Sequence, residues 1–137
     1  MVPYGTEVPI EPGAQARLAH TVTFDDTAVV LGSGDVPVLA TSRLIAWCEG
    51  ATLDVLRPHE SDGVTTVAMR VHLDHLKAVS IDAEVTALAT LERIEGRRYV
   101  FVVSALAPGG QLVAEGRIVR VEVETESFMA SACENAG

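Results

Sequence analysis

Glu49 is the residue of this 137-residue chain whose type and surroundings most directly suggest chemistry. It lies between Cys48 and Gly50, in a segment whose other central residues are nearly all apolar. A carboxylate there is either on a solvated stripe or partly buried with a raised pKa, which would suit a base or a nucleophile. The neighbouring glycine costs a helix about 1 kcal/mol relative to alanine, which indicates a close approach by another group.

Thr41 precedes Glu49 at the start of the same segment, where Thr41 or Ser42 can cap a helix. A further role is compatible with capping. The free N–H groups at a helix start stabilise negative charge that develops on a carbonyl oxygen under attack.

His72 and His75 have a spacing that also occurs in metal sites. Residues three apart on a strand point to opposite faces, however, so the two side chains cannot bind one ion without a bulge. The sequence therefore predicts no metal site. Cys48 is expected to be a buried, unreactive thiol, because the adjacent Glu49 would raise rather than lower its pKa.

The composition excludes several classes of protein. A formal net charge of −9 argues against nonspecific nucleic-acid binding. No apolar run is long enough to span a bilayer, and the N-terminus lacks a signal-peptide pattern. Cys48 and Cys133 fit no disulfide framework or metal spacing. We expect one domain over residues 1–137, located in the cytoplasm and without a membrane or nucleic-acid partner.

Five of the ten basic residues lie in one stretch of the C-terminal half, and they could form a local cationic patch for a phosphorylated ligand. They are Arg93, Arg97, Arg98, Arg117 and Arg120. Their alternative role is a solvated strand edge that discourages aggregation.

The apolar periodicity predicts one helix and five strands. The helix covers residues 41–57, with a buried stripe of Leu44, Cys48, Ala51 and Val55. The strands cover residues 16–24, 64–74, 81–91, 98–106 and 111–123, with a loop at 25–37 and a flexible tail from about 124. In the second strand, Val67, Met69, Val71 and Leu73 are predicted on one face, and Thr66, Ala68, Arg70, His72 and Asp74 on the other. One apolar helix against a long antiparallel sheet is an α+β architecture.

Thr41, Glu49 and His75, with their neighbours, resemble the fluoroacetyl-CoA thioesterase family of hotdog proteins. The three residues reproduce the spacing of that family's Thr, Glu and His without a gap. The Glu-Gly-Arg-Arg segment at 95–98 resembles the family's hairpin, and Arg120 and Phe128 resemble its last strand and tail. The resemblance runs from about residue 15 to 128. The family's lid is rich in Phe, whereas residues 32–35 of this chain read Gly-Ser-Gly-Asp.

The resemblance implies a hotdog fold, with one central helix wrapped by a five-stranded antiparallel sheet, and hydrolysis of a small acyl-CoA thioester without a cofactor. Thr41 would position the carbonyl, Glu49 would act as nucleophile or as base, and His75 would protonate the leaving thiolate or hold the water. With such a substrate, arginines among the five named above become candidate ligands for the CoA phosphates. A noncatalytic acyl-CoA or small-ligand binding protein and a hotdog dehydratase are the alternatives on the same fold.

Spacing adds an expectation about assembly. Thr41 and Glu49 are eight residues apart, which is about 12 Å along a helix and too far for both to contact one reacting carbon. Two antiparallel helices around a twofold axis would place Thr41 of one subunit beside Glu49 of the other. We therefore expect a homodimer, or a tetramer built from such dimers.

Overall fold

The computed structural model describes residues 9–136. In this part of the chain five strands form one antiparallel sheet in the order β1-β3-β4-β5-β2. The strands are β1 (Gln15–Thr21), β2 (Val64–His75), β3 (Glu84–Glu95), β4 (Arg98–Leu106) and β5 (Leu112–Glu124). The helices are α1 (Ala28–Leu31), α2 (Thr41–Leu56) and α3 (Thr125–Ala136). The predicted order of one long helix and five strands is confirmed.

Helix α2 packs against the sheet through the stripe that its periodicity predicts. Leu44, Cys48, Ala51 and Val55 are all buried. The alternate residues of β3 that meet the helix are also buried, namely Val85, Ala87, Ala89 and Leu91. Alanines at two of these strand positions allow the helix to approach the sheet closely, so that aliphatic side chains fill the core with few aromatic rings.

Strand β2 departs from the predicted alternation because its pairing with β5 contains a bulge between Ala68 and Arg70. An extra residue in one strand reverses which side chains point inward beyond it. Thr66 and Ala68 therefore face the core before the bulge, whereas Leu73 and His75 face inward after it. The prediction that Val67 and Leu73 share a face is wrong. His72 and His75 do lie on opposite faces.

Several boundaries also differ from the prediction. The predicted loop at 25–37 contains the single turn of α1, which ends at Gly32 in the left-handed region. Strand β3 begins at Glu84 rather than residue 81, because Asp82 has a φ of 73° and turns the chain there. Residues 125–136 form α3, a helix that the sequence analysis did not predict; the flexibility of this segment stays a prediction.

Candidate active site

The clearest contact between two candidate site residues joins the start of α2 to the end of β2. Thr41 Oγ1 lies 2.7 Å from His75 Nδ1, a hydrogen bond whose donor depends on the histidine tautomer. Thr41 is the first helical residue, and the residue in the capping position is Ala40, with φ −69° and ψ 138°. The prediction that Thr41 or Ser42 caps α2 is therefore wrong. Because the Thr41 hydroxyl does not cap the helix, it is available to His75.

The chain before α2 holds the helix start in place. Asp26 forms an ion pair with Arg43 at 3.1 Å, and its backbone carbonyl accepts the Ala40 N–H at 2.9 Å. The same carboxylate accepts the backbone N–H and the hydroxyl of Thr23. These contacts anchor the first turn of α2, whose N–H groups have no partner within the helix. The resulting positive end of the helix lies beside the Thr41–His75 pair.

A cavity of about 440 Å³ opens at this pair. Its walls come from the segment between α1 and α2, from the first residues of α2, and from the segment that follows β2. The lining residues are Ala28, Ser33, Gly34, Val36, Val38, Leu39, Ala40, Thr41, Ser42, His75, Leu76, Lys77 and Ala78. The cavity thus combines a hydroxyl–imidazole pair with a helix N-terminus, which can polarise a carbonyl and move a proton beside it.

Glu49 is half-buried on α2 and does not line this cavity. It lies instead beside Cys48, where burial, reinforced by the nearby Glu49 charge, raises the pKa of the thiol to about 11. A Cβ at Gly50 would meet only Leu18 Cδ1, at 3.7 Å, so no group within the described chain requires glycine there. Within one chain, the fold brings Thr41 and His75 together and leaves Glu49 apart from them.

Arg120 is buried, with 6% of its surface exposed, between the sheet and the second half of α2. Its Nε donates to Thr66 Oγ1 and its Nη2 to the Thr66 carbonyl oxygen, each at 2.8 Å, and its Nη1 donates to Thr52 Oγ1 at 3.4 Å. Burial lowers the Arg120 pKa, and nearby Glu49 and Glu60 oppose that change. A guanidinium so enclosed cannot reach a CoA phosphate. We therefore remove Arg120 from the candidate phosphate ligands.

The other four arginines are exposed and lie away from the cavity. Arg117 donates two hydrogen bonds to Glu92, at 3.0 and 3.3 Å, which lower the pKa of that carboxyl. Arg93 pairs with Glu92 and Glu95, while Arg97 and Arg98 lie at the β3–β4 hairpin.

Lys77 is a cation that the sequence reasoning missed, and it does line the cavity. Its Nζ donates to Gln111 Oε1 at 2.7 Å, a neutral partner that leaves its charge uncompensated by this bond. Its position two residues after His75 is the feature of the sequence that could have indicated that Lys77 lies near the candidate site.

The remaining candidate residues lie apart from the cavity. His72 lies 3.8 Å from Asp74 on the outer face, as their shared strand face predicts. No group of three or more potential metal-binding side chains occurs within residues 9–136. In the same part of the chain, no helix has the length and apolar character needed to span a bilayer. Cys48 is buried and Cys133 exposed, and both are free.

Comparison with solved structures defines the class of protein. The chain is similar to a thioesterase superfamily member from Thermus thermophilus, with 26% identity and a TM-score of 0.86, covering 93% of this chain and 94% of the other. A hot-dog-like protein from Thermanaerovibrio acidaminovorans shares 26% identity with a TM-score of 0.83, covering 92% and 93%. The fluoroacetyl-CoA thioesterase FlK shares 22% identity with a TM-score of 0.87, covering 93% and 98%. The fold is therefore the hotdog fold.

The sequence itself identifies the family. The pattern of the family described as fluoroacetyl-CoA-specific thioesterase, FlK, matches residues 22–126, well over half of the chain. The chain belongs to this family. A comparison with the sequences of curated proteins finds no match.

Proposed function

We propose that the protein hydrolyses an acyl-CoA thioester to a free acid and CoA. The observation that carries the proposal is the 2.7 Å contact between Thr41 and His75 at a helix N-terminus, in a chain of a thioesterase family. The N–H groups of the first helical turn would stabilise the oxyanion as the carbonyl is attacked, and the Thr41 hydroxyl would position that carbonyl. Water supplies the oxygen of the acid, and the reaction needs no cofactor.

His75 would protonate the leaving thiolate or hold the attacking water. Nδ1 contacts the Thr41 hydroxyl, and Nε2 is buried without a hydrogen-bond partner among the described residues. His75 would therefore take either role once its side chain turns so that a ring nitrogen reaches the cavity. Glu49 would attack the carbonyl itself or remove a proton from that water. Both routes give the same products, because the anhydride formed in the first is hydrolysed in a second step.

The separation of Glu49 from the Thr41–His75 pair supports a homodimeric site. In this arrangement Glu49 of one subunit would complete the cavity of the other, and each dimer would contain two sites. Pairs of dimers could form a tetramer. The free cysteines support a reducing, cytoplasmic location.

The CoA phosphates need cations at the surface around the cavity. We propose Lys77 first, because it lines the cavity, and keep Arg93, Arg97, Arg98 and Arg117 as ligands supplied from the outer surface or from a second subunit.

The activity is tested by thiol release from a panel of short and aromatic acyl-CoAs. We expect turnover by the purified protein and its loss in Glu49→Ala. Thermal stabilisation by acyl-CoA without turnover would instead indicate a binding protein, and formation or loss of an enoyl-CoA absorbance would indicate a dehydratase.

A complementation experiment tests the shared site. Glu49→Ala and His75→Ala are each expected to be inactive, but a mixed dimer purified through two different tags would retain one intact site. It should recover about half of the wild-type activity, because one of its two sites combines Glu49 and His75 from different subunits. An inactive mixed dimer would show that both residues act within one subunit.

A further inference from the structure

The turn of α2 that carries Glu49 has a hydrogen bond beyond those of the helix itself. The Thr52 hydroxyl donates to the Glu49 carbonyl oxygen at 2.6 Å. In a helix this oxygen also accepts the N–H of the residue four positions further on. A side-chain bond to a helix carbonyl often bends the helix locally. Thr52 therefore influences how the Glu49 backbone lies relative to the sheet.

Thr52 is in turn held by the sheet. It is fully buried, and its Oγ1 accepts a hydrogen bond from Arg120 Nη1 at 3.4 Å. A hydroxyl has one proton, and because the bond to Glu49 uses it, the oxygen acts as an acceptor toward the guanidinium. These two bonds connect β5, which carries Arg120, to the Glu49 backbone through one hydroxyl.

Arg120 can hold Thr52 because the guanidinium is itself fixed by β2. Its Nε and Nη2 donate to the hydroxyl and to the carbonyl oxygen of Thr66, each at 2.8 Å. With these bonds made, Nη1 is directed at Thr52 on α2. The planar guanidinium is therefore oriented by three contacts, and no single one of them is needed to keep it against the helix.

The charge of Arg120 also acts on Glu49. Burial lowers the Arg120 pKa, and nearby Glu49 and Glu60 oppose that change, so the Glu49 carboxylate lies within the field of the buried cation. The attraction is mutual, and it favours orientations that bring the Glu49 carboxylate toward Arg120. The Thr52 hydroxyl therefore restrains the backbone of Glu49, and the guanidinium restrains its side chain.

We propose that Thr52, held by Arg120, is a positioning residue for Glu49 in the hydrolysis. The inference rests on the proposed function, in which the Glu49 carboxylate attacks the carbonyl or activates water. A displacement of about 1 Å in a reacting group can lower a rate by about 10²-fold, so a small shift of this turn would lower kcat. The contacts lie within one subunit, and they hold whichever subunit supplies Thr41 and His75 to the site.

The test compares two substitutions of the same residue. Thr52→Val keeps the side-chain shape and removes the hydroxyl, whereas Thr52→Ser keeps the hydroxyl. In folded protein, we expect Thr52→Val to lower kcat by about 10- to 100-fold with KM changed less than about twofold, and Thr52→Ser to retain about half or more of the wild-type kcat. An unchanged kcat in Thr52→Val, or an equal fall in Thr52→Ser, would overturn the inference.

Thr66→Val is the matched control, because it removes one hydrogen bond of Arg120 and none made by α2. Arg120 keeps its contacts with the Thr66 carbonyl oxygen and with Thr52, so kcat should stay as in the wild type. An equal fall of kcat in the two valine variants would assign the effect to a general loosening of the core and contradict the inference.

A second measurement does not depend on turnover. The carbon NMR signal of the Glu49 carboxyl group, assigned by its absence in Glu49→Ala, should move in Thr52→Val and stay in place in Thr52→Ser and Thr66→Val. If the wild type hydrolyses no acyl-CoA, the proposed function fails, and this signal then decides the inference. A signal that does not move in Thr52→Val, or that moves equally in all three variants, would overturn it.

Discussion

The two halves of helix α2 hold their polar neighbours in opposite ways. At its start, Thr41 contacts His75 beside an open cavity, and the second ring nitrogen of His75, Nε2, has no hydrogen-bond partner among the described residues. Along its second half, the guanidinium of Arg120 is enclosed and bonded to Thr52 and Thr66. The Thr41–His75 hydrogen bond can be replaced by hydrogen bonds to a ligand during a reaction. Breaking the hydrogen bonds of Arg120 instead destabilises the folded state.

Both regions depend on the same pair of strands. In the β2–β5 ladder, Ala68 pairs with Arg120 on one side of the bulge, and His75 pairs with Ala114 at the far end. The two regions therefore differ in how exposed their polar side chains are, and not in the strands that hold them. Substitutions should distinguish the two regions. Those beside the cavity should lower activity without lowering the free energy of unfolding, whereas those around Arg120 should lower the free energy of unfolding first.

The largest effect is expected from His75→Gln. The amide cannot shuttle a proton, so kcat should fall by about 10²- to 10⁴-fold, while the free energy of unfolding changes by less than about 1 kcal/mol. Thiol-release kinetics and chemical denaturation measure the two quantities. Thr41→Val tests the partner atom in the same way. A loss of stability that accounts for the lost activity would assign the pair a structural role.

Gly116→Ala should damage both regions together. A Cβ at Gly116 would lie 1.9 Å from the His72 carbonyl oxygen, which is backbone and cannot move aside without shifting β2. We expect a loss of about 3 kcal/mol in the free energy of unfolding, with reduced kcat as His75 is displaced. A folded variant with unchanged melting temperature and activity would mean that the strands separate there at little cost.

Thr66→Val should affect the enclosed region alone. It keeps the side-chain shape but removes the acceptor of the Arg120 Nε–H, leaving a buried charged donor unsatisfied. The expected cost is about 1–3 kcal/mol, with kcat/KM unchanged in the folded protein. Thr65→Val, at the preceding position, is the matched control. Equal destabilisation by the two variants would argue against the importance of this bond.

The smallest effect concerns the buried thiol of Cys48 in α2. Burial and Glu49 raise the pKa of Cys48 to about 11, so iodoacetamide at pH 8 should modify the exposed Cys133 and leave Cys48 unmodified. The folded state keeps the Cys48 proton longer than the unfolded state does. Its contribution to stability is therefore present below about pH 9 and is lost as the pH rises towards 11. Rapid alkylation of Cys48 in the native protein would show that the middle of α2 opens readily.

The parts of the fold that were predictable depend on local patterns. The buried stripe of α2 and the inward face of β3 follow from periods of 3.6 and 2 residues, and the hairpin at Gly96 from its turn residues. The faces of β2 were not predictable beyond Ala68, because a bulge exists only in relation to the partner strand.

The same distinction between local sequence pattern and tertiary contact applies to the candidate site. By itself, the sequence determined the family, the α+β order of elements, and the three residues Thr41, Glu49 and His75 as candidates. Only the tertiary structure decided that Thr41 meets His75 while Glu49 stands apart, and that Arg120 is enclosed while Lys77 borders the cavity. The physical reason is that side-chain type and spacing act along the chain, whereas contact and burial depend on how β2, β5 and α2 pack across many intervening residues.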